Sequence, residues 1–120
     1  MSHKFVTTSK AGDVHVVELS LPSALDHSEF DDLNHAIFQE IDSQPAARWV
    51  LDLSGAQYMG SAILGLMVNI RQHIIQAQGK LMLCCLSPRL MEIFRTCSLE
   101  RLFTIAPTRA EALRGLSKGQ

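Results

Sequence analysis

The feature that most constrains this chain is a strand–helix–strand pattern in its centre. Residues 48–53 and residues 80–86 are two compact, mostly apolar runs, as expected of strands that other elements cover. Between them, apolar residues recur at three- and four-residue intervals from Leu64 to Ala77, which is the spacing of one face of an α-helix. Because a helix that joins two strands leaves them parallel in one sheet, this pattern predicts an α/β fold.

The flanking segments extend the predicted sheet and add further helices. Residues 5–8 and 14–19 are short and β-branched, with turn residues between them, which predicts an opening hairpin. A first helix ends before Pro45, a third begins at Pro88, and a short strand at residues 104–106 precedes the last helix. The order β-β-α-β-α-β-α-β-α predicts a mixed central sheet of about five strands with four or five helices.

Residues at the predicted helix ends have the expected capping chemistry. Ser87 followed by Pro88 is typical of an N-cap with proline at the first helical position. Thr108 and Glu111 have the spacing of a capping box at the last helix. Gly79 follows the second helix and is suited to a left-handed residue at the C-cap.

Length and charge indicate one globular domain and argue against two classes of partner. The 120 residues fit a single domain, which we expect to span residues 1–120 with an ordered core at about 5–116. A formal net charge of −1, with eleven Lys and Arg scattered along the chain, argues against nucleic-acid binding. No apolar run reaches the roughly 18–20 residues of a membrane span, and the N-terminus lacks a signal-peptide core. We therefore expect a cytoplasmic protein.

The sequence contains no pattern typical of an enzyme active site. The histidines are isolated, without the spacings of a metal site. Gly55, Gly60 and Gly65 match neither the dinucleotide-binding pattern nor the nucleotide phosphate loop. Cys84 and Cys85 are neighbours in a predicted strand, where side chains point to opposite faces, so we expect them not to share a metal ion. We predict no catalytic residues, no cofactor and no metal.

Ser61 stands at the predicted start of the second helix, after an apolar strand and a glycine-containing loop. Its hydroxyl would lie beside the N–H groups that the first turn of a helix leaves unpaired. The residues allow two interpretations. Ser61 is either an N-cap, worth about 0.5–2 kcal/mol of stability, or a site where a phosphate group meets ready hydrogen-bond donors.

The segment around Ser61 resembles a motif of STAS domains, the fold of bacterial anti-sigma factor antagonists. Asp-Leu-Ser at residues 52–54 is followed by Tyr-Met-Gly-Ser-Ala-Ile-Leu-Gly at residues 58–65. Further similar segments are residues 25–27, 79–81, 99–103 and 110–113. The resemblance runs from about Phe5 to Leu116 and implies a single STAS domain.

The resemblance also implies roles for the residues around Ser61. In the family, the serine at this position is phosphorylated by a partner that is both a serine kinase and an anti-sigma factor, and phosphorylation ends the partnership. Asp26 corresponds to a family aspartate in a loop that faces the partner, and its other interpretation is an N-cap of the first helix. Gly60, Ala62 and Ile63 would border Ser61 on the contact face. Two of them depart from the family, since Gly60 replaces an aspartate and Ile63 replaces a glycine.

Three functions are compatible with the sequence. The first is a regulatory module that binds a serine-kinase anti-sigma partner, with binding controlled by phosphorylation of Ser61. The second, motivated by Gly60 and Ile63, is a phosphorylation-independent scaffold or transporter-associated subunit. The third is binding of a nucleotide or another small phosphate ligand at the helix N-terminus.

Overall fold

The computed structural model describes residues 2–117 of the chain, so Met1 and residues 118–120 of the predicted domain lie outside the described residues. In chain order the elements are β1 (Ser2–His3), β2 (Val6–Ala11), β3 (Val14–Ser20), α1 (His27–Asp42), β4 (Arg48–Gly55), α2 (Ser61–Gln76), β5 (Lys80–Cys84), α3 (Pro88–Thr96), a 3₁₀-helix (Leu99–Arg101), β6 (Ile105–Ala106) and α4 (Arg109–Ser117). The predicted order is confirmed, with one short strand added at the N-terminus. Among the described residues, no helix has the length and apolar character needed to cross a membrane.

The strands form one mixed sheet whose spatial order, β1-β2-β3-β4-β5-β6, equals their order along the chain. The pairs β1–β2 and β2–β3 are antiparallel, and the remaining pairs are parallel. In the centre, Val50 of β4 lies between Val16 of β3 and Met82 of β5. The opening hairpin and the parallel crossovers agree with the prediction. The unpredicted strand β1 pairs His3 with Val6, and two residues are too few to show an alternating pattern.

Alternate residues of β4 point to opposite faces of the sheet and therefore join two separate apolar clusters. Leu51 and Leu53 are buried in the larger cluster, together with residues of α1, α2 and α3. Val50 is buried in the smaller cluster, together with Ala112 and Leu116 of α4. Three helices thus cover one face of the sheet, and α4 covers the other.

Two of the predicted helix N-termini have the expected caps. The Ser87 hydroxyl accepts a hydrogen bond from the Leu90 N–H at 3.1 Å, and Pro88 occupies the first helical position of α3. The Thr108 hydroxyl accepts a hydrogen bond from the Glu111 N–H at 3.1 Å at the start of α4, which is one of the two bonds of the predicted capping box. Both caps satisfy N–H groups that a first helical turn leaves without a partner in the helix.

The end of α2 differs from the prediction. The left-handed residue is Gln78, with φ of 69°, whereas Gly79 was expected in that role. Gln78 and Gly79 donate backbone hydrogen bonds to Ile75 and Ile74 respectively, which is the Schellman arrangement. Glycine is needed at position 79 for a different reason, because a Cβ there would lie 2.5 Å from the Ala47 carbonyl oxygen.

Candidate functional site

Ser61 is the first residue of α2, immediately after the N-cap residue Gly60. Gly60 has extended backbone angles (φ −77°, ψ 177°), and no side chain among the described residues caps the first turn. The interpretation of Ser61 as the N-cap is therefore wrong, because Gly60 occupies the N-cap position and Ser61 is already helical. The Ser61 side chain is exposed, beside the N–H groups of the first turn.

Ser61 lies on a ridge between two mostly apolar grooves. The first, here called the α1 groove, has a volume of about 590 Å³ and is bounded by residues 21–27 and by the first turns of α1 and α2. The second, here called the α3 groove, has a volume of about 530 Å³ and is bounded by residues 58–61 and by one side of α3. Tyr58, Gly60 and Ser61 line both grooves. The ridge and its two grooves are called the Ser61 surface below.

The Tyr58 ring gives the ridge an exposed aromatic group. This side chain is 43% exposed, although large apolar side chains elsewhere in the described chain are mostly buried. The guanidinium carbon of Arg89 lies 5.4 Å from the centre of the ring, which is within cation–π range. Exposed apolar grooves with an aromatic residue at their border are typical of protein and ligand contact sites.

Asp26 lies in the α1 groove together with Ser61, so the structure brings these two predicted site residues into one groove. Asp26 is also the N-cap of α1, as its alternative interpretation predicted. Its carboxylate accepts a hydrogen bond from the Glu29 N–H at 2.7 Å, and its own N–H donates to the Glu29 carboxylate at 3.1 Å. Lys4 pairs with the same Glu29 carboxylate at 3.1 Å. This capping box fixes the loop that borders the groove.

The other predicted contact residues differ in exposure. Ala62 is exposed and Gly60 is partly exposed, but Ile63 is only 8% exposed and packs in the larger apolar cluster. Ile63 therefore contributes mainly to the core, and its remaining exposed surface lines the α1 groove beside Ser61. A Cβ at position 60 would meet only the Tyr58 ring, at 3.9 Å, so a side chain can begin there without a clash.

Tyr58 and Arg89 were not predicted as site residues. Tyr58 belongs to the motif at residues 58–65, and its place in the loop that leads to Ser61 is a local signal that could have identified it. Arg89 lies in a different helix and is exposed, like many surface arginines. Only the folded structure shows that its guanidinium lies over the Tyr58 ring.

A second polar cluster lies on the opposite face of the sheet. The Asp52 Oδ2 atom lies 2.8 Å from both Nε and Nη2 of Arg109, and Oδ1 accepts a hydrogen bond from the Ser54 N–H at 2.9 Å. Burial by itself raises the pKa of Asp52, but the hydrogen bonds from Ser54 and Arg109 outweigh it and hold the pKa below its ordinary value. Arg109 also pairs with Glu18 at 3.3 Å. This cluster joins β3, β4 and α4.

Two cysteines lie next to this cluster. β5 ends at Cys84, and Cys85 has a left-handed φ of 68°, which brings the two sulfur atoms within 3.1 Å of each other. The expectation that the thiols point apart is therefore wrong, and with Asp52 they form a group whose ligand atoms all lie within 4.8 Å of one another. These donors nevertheless fit a cation poorly. Burial and the hydrogen bond from Cys85 raise the pKa of Cys84, and Arg109 already pairs with Asp52.

Residues 7–112 match the family model of the STAS domain. This match spans most of the chain, and the chain therefore belongs to the STAS domain family. STAS domains are regulatory binding modules and are generally not enzymes.

Individual proteins are similar to this chain in sequence or in fold. BtrV of Bordetella bronchiseptica, provisionally named an anti-sigma factor antagonist, is 31% identical over 87 residues, which are 67% of this chain and 75% of BtrV. An anti-sigma factor antagonist (STAS) domain protein from Planctomyces limnophilus has a TM-score of 0.80 at 21% identity, over 93% of this chain and 97% of that chain. The phosphorylated form of SpoIIAA, a Bacillus cell fate determinant, has a TM-score of 0.64 at 19% identity, over 92% of this chain and 98% of that chain. The fold expected from the resemblance is thus confirmed.

Proposed function

We propose that this protein is a regulatory binding module of the anti-sigma factor antagonist type. Its partner is a protein that is both a serine kinase and an anti-sigma factor, and the two meet in the cytoplasm through the Ser61 surface. Phosphorylation of Ser61 controls this binding. The observation that carries the proposal is the exposed Ser61 side chain at the start of α2, on a ridge between two apolar grooves.

The apolar grooves supply the attraction to a partner. Apolar surface that a partner removes from water contributes about 25 cal/mol per Å², and exposed tyrosines are frequent energetic centres of protein interfaces. Tyr58 has this position between the two grooves. Asp26 adds a carboxylate at the border of the α1 groove, and its capping box holds that carboxylate in place before the partner arrives.

A phosphate on Ser61 weakens this binding because it adds about 1.5–2 negative charges to the ridge. A partner that covers the ridge must remove water from these charges, which costs more free energy than covering a hydroxyl. The unbound protein tolerates the same phosphate, because the positive end of the α2 dipole and its first-turn N–H groups stabilise negative charge. The modification therefore acts on the complex more than on the fold.

The proposal is tested by calorimetric titration of a serine-kinase anti-sigma protein, chosen from the genes next to this one, with two variants at one position. We expect Ser61→Ala to keep the native affinity and Ser61→Asp to weaken it by about tenfold or more, since every tenfold change corresponds to about 1.4 kcal/mol. Ser9→Asp is the matched control, because Ser9 is exposed on β2 and lines neither groove. Equal affinities of the two Ser61 variants would count against the switch.

A phosphorylation-independent scaffold is the second candidate, and Gly60 is the observation that favours it. The family resemblance implies an aspartate before the phosphorylated serine, and Gly60 offers no carboxylate for a kinase to recognise. Intact-mass measurement after incubation with the partner kinase and ATP separates the two functions. Stoichiometric phosphate on Ser61 would exclude the scaffold, whereas a kinase that binds the chain and leaves Ser61 unmodified in the presence of ATP would exclude the switch.

A further inference from the structure

We propose that Arg89 binds the phosphate group when Ser61 is phosphorylated, so that its guanidinium leaves the Tyr58 ring and pairs with the modified serine. This inference rests on the proposed function, because it needs a phosphate on Ser61. It adds a residue of α3 that neither the motif nor the family resemblance identifies.

The position of Arg89 is the first support. Arg89 belongs to the first turn of α3, and its exposed side chain lines the α3 groove together with Ser61. Its guanidinium is directed toward the loop that leads into α2, since it lies 5.4 Å from the Tyr58 ring centre. Arg89 is the only Lys or Arg among the described residues that line either groove. Its long, flexible side chain can reorient while the helix stays in place.

The charges near Arg89 are the second support. Glu92 also lines the α3 groove, but its carboxylate accepts a hydrogen bond from Arg95 at 2.8 Å. Arg95 lies 3.6 Å from Glu100 as well. No carboxylate among the described residues pairs with Arg89. Its contact with Tyr58 is a cation–π contact at an exposed site, which is a weak interaction.

The glycine at position 60 removes a competing anion. The family aspartate at this position would place a carboxylate directly before the phosphorylated serine, and Gly60 has no side chain. A phosphate on Ser61 therefore brings a strong acceptor into a groove whose arginine has no carboxylate partner. A guanidinium binds phosphate oxygens through two parallel charge-assisted hydrogen bonds, which are stronger than its contact with an exposed ring.

Movement of Arg89 changes the α3 groove more than the α1 groove. It uncovers the Tyr58 ring and places a partly neutralised phosphate beside it. After phosphorylation, a partner that contacts the α3 groove therefore meets a new negative charge and a more exposed Tyr58 ring.

The test uses the full chain with phosphoserine inserted at position 61 during translation, so that neither a kinase nor a partner is needed. Phosphorus-31 NMR follows the phosphate resonance against pH and gives its second pKa, which is ordinarily about 6. A neighbouring guanidinium favours the dianion, so we expect this pKa to be about 0.5–1 lower in the otherwise native chain than in the Arg89→Gln variant. Arg89→Lys keeps the charge but loses the planar fork, and its value should lie between the two.

Arg101→Gln is the control, because Arg101 is exposed, lines neither groove and carries the same charge. The other titratable groups that line the two grooves are the same in every variant: Asp26, His27, Tyr58, Glu92 and Cys97. The proposal is overturned if Arg89→Gln leaves the pKa unchanged, or if Arg101→Gln raises it equally. Failure of the kinase to modify Ser61 would reject the proposed function and leave this titration interpretable.

Discussion

Asp52 and Ser61 follow each other closely in the chain but lie in contrasting surroundings. Asp52 is 4% exposed, and both of its carboxylate oxygens accept hydrogen bonds, one from Ser54 and the other from Arg109. Ser61 is exposed at a helix end that no described side chain caps. The first site satisfies its polar groups within the protein, whereas the second offers them to an outside partner.

The contrast separates stability from recognition. The Asp52 cluster joins two strands to α4, so a change there should be seen in the free energy of unfolding. The Ser61 surface consists of exposed groups around apolar grooves, so a change there should be seen in partner affinity. Unchanged stability after a change in the Asp52 cluster would contradict this separation.

Arg109→Ala should have the largest effect on stability. It leaves the buried Asp52 carboxylate without its cation, and we expect the free energy of unfolding to fall by about 2–3 kcal/mol. The Arg109 side chain is 38% exposed, which keeps the effect below that of a fully buried pair. Urea denaturation measures the change, and Arg101→Ala is the exposed control, with an expected change within about 0.5 kcal/mol. An unchanged urea midpoint would show that the Asp52 cluster does not stabilise the fold.

The stability of the native chain should fall in acid through Asp52. Because the pKa of Asp52 is lowered in the folded state, its contribution is present above the ordinary aspartate value of about 4 and is lost as the pH falls through the folded-state pKa. Asp52→Asn has no carboxyl at this position. We therefore expect the native chain to be more stable than Asp52→Asn at pH 6 and the difference to shrink steadily below about pH 4, measured by urea denaturation at each pH. A constant difference across this range would contradict the role of the ionised carboxylate.

Gly60→Asp should have the smallest effect on stability. It makes the Ser61 site more like the Asp52 site, because a side chain of the protein would then satisfy polar groups of the helix end. An aspartate N-cap would give the first turn of α2 an internal acceptor, and its charge is favourable at the helix N-terminus. We expect the free energy of unfolding to rise by about 0.3–1 kcal/mol in urea denaturation. Gly60→Asn caps without a charge, so the difference between the two variants measures the electrostatic part. A loss of stability in both would show that the N-cap position does not accept a side chain.

Local chemistry was enough to predict much of the fold. The caps at Asp26, Ser87 and Thr108 depend on residues within one helical turn, and the structure contains all three. The order of strands and helices along the chain followed from alternating strand and helix patterns in the same way. Interactions of this kind act between neighbours in the sequence, so the sequence shows them directly.

The predictions that were wrong depend on how distant segments approach each other. Gly79 is needed because the Ala47 carbonyl lies against it, and the left-handed conformation falls on Gln78. Cys85 leaves the strand geometry, which turns its thiol toward Cys84. The distance between two packed segments and the backbone direction at the end of a strand depend on tertiary packing. Local sequence patterns do not predict them.

Only part of the site was predicted, because some of its contacts join residues that are distant in the sequence. The motif identified Ser61 and Gly60 from adjacent residues, but it could not show that Arg89 lies over Tyr58, because the two residues belong to different elements. It also could not show that the backbone turns into the helix at Gly60, which moves Ser61 from the cap to the first helical residue.

The strand order has a consequence for the way the sheet is assembled during synthesis. Each strand pairs with the one made just before it, so no strand has to be inserted between two that have already paired. A chain that leaves the ribosome N-terminus first can therefore add each new strand to a finished edge. The segments of the α1 groove are all made before α3, whereas the α3 groove needs α3 itself. The two halves of the Ser61 surface thus become available in sequence, and only a chain that extends through Cys97 carries both.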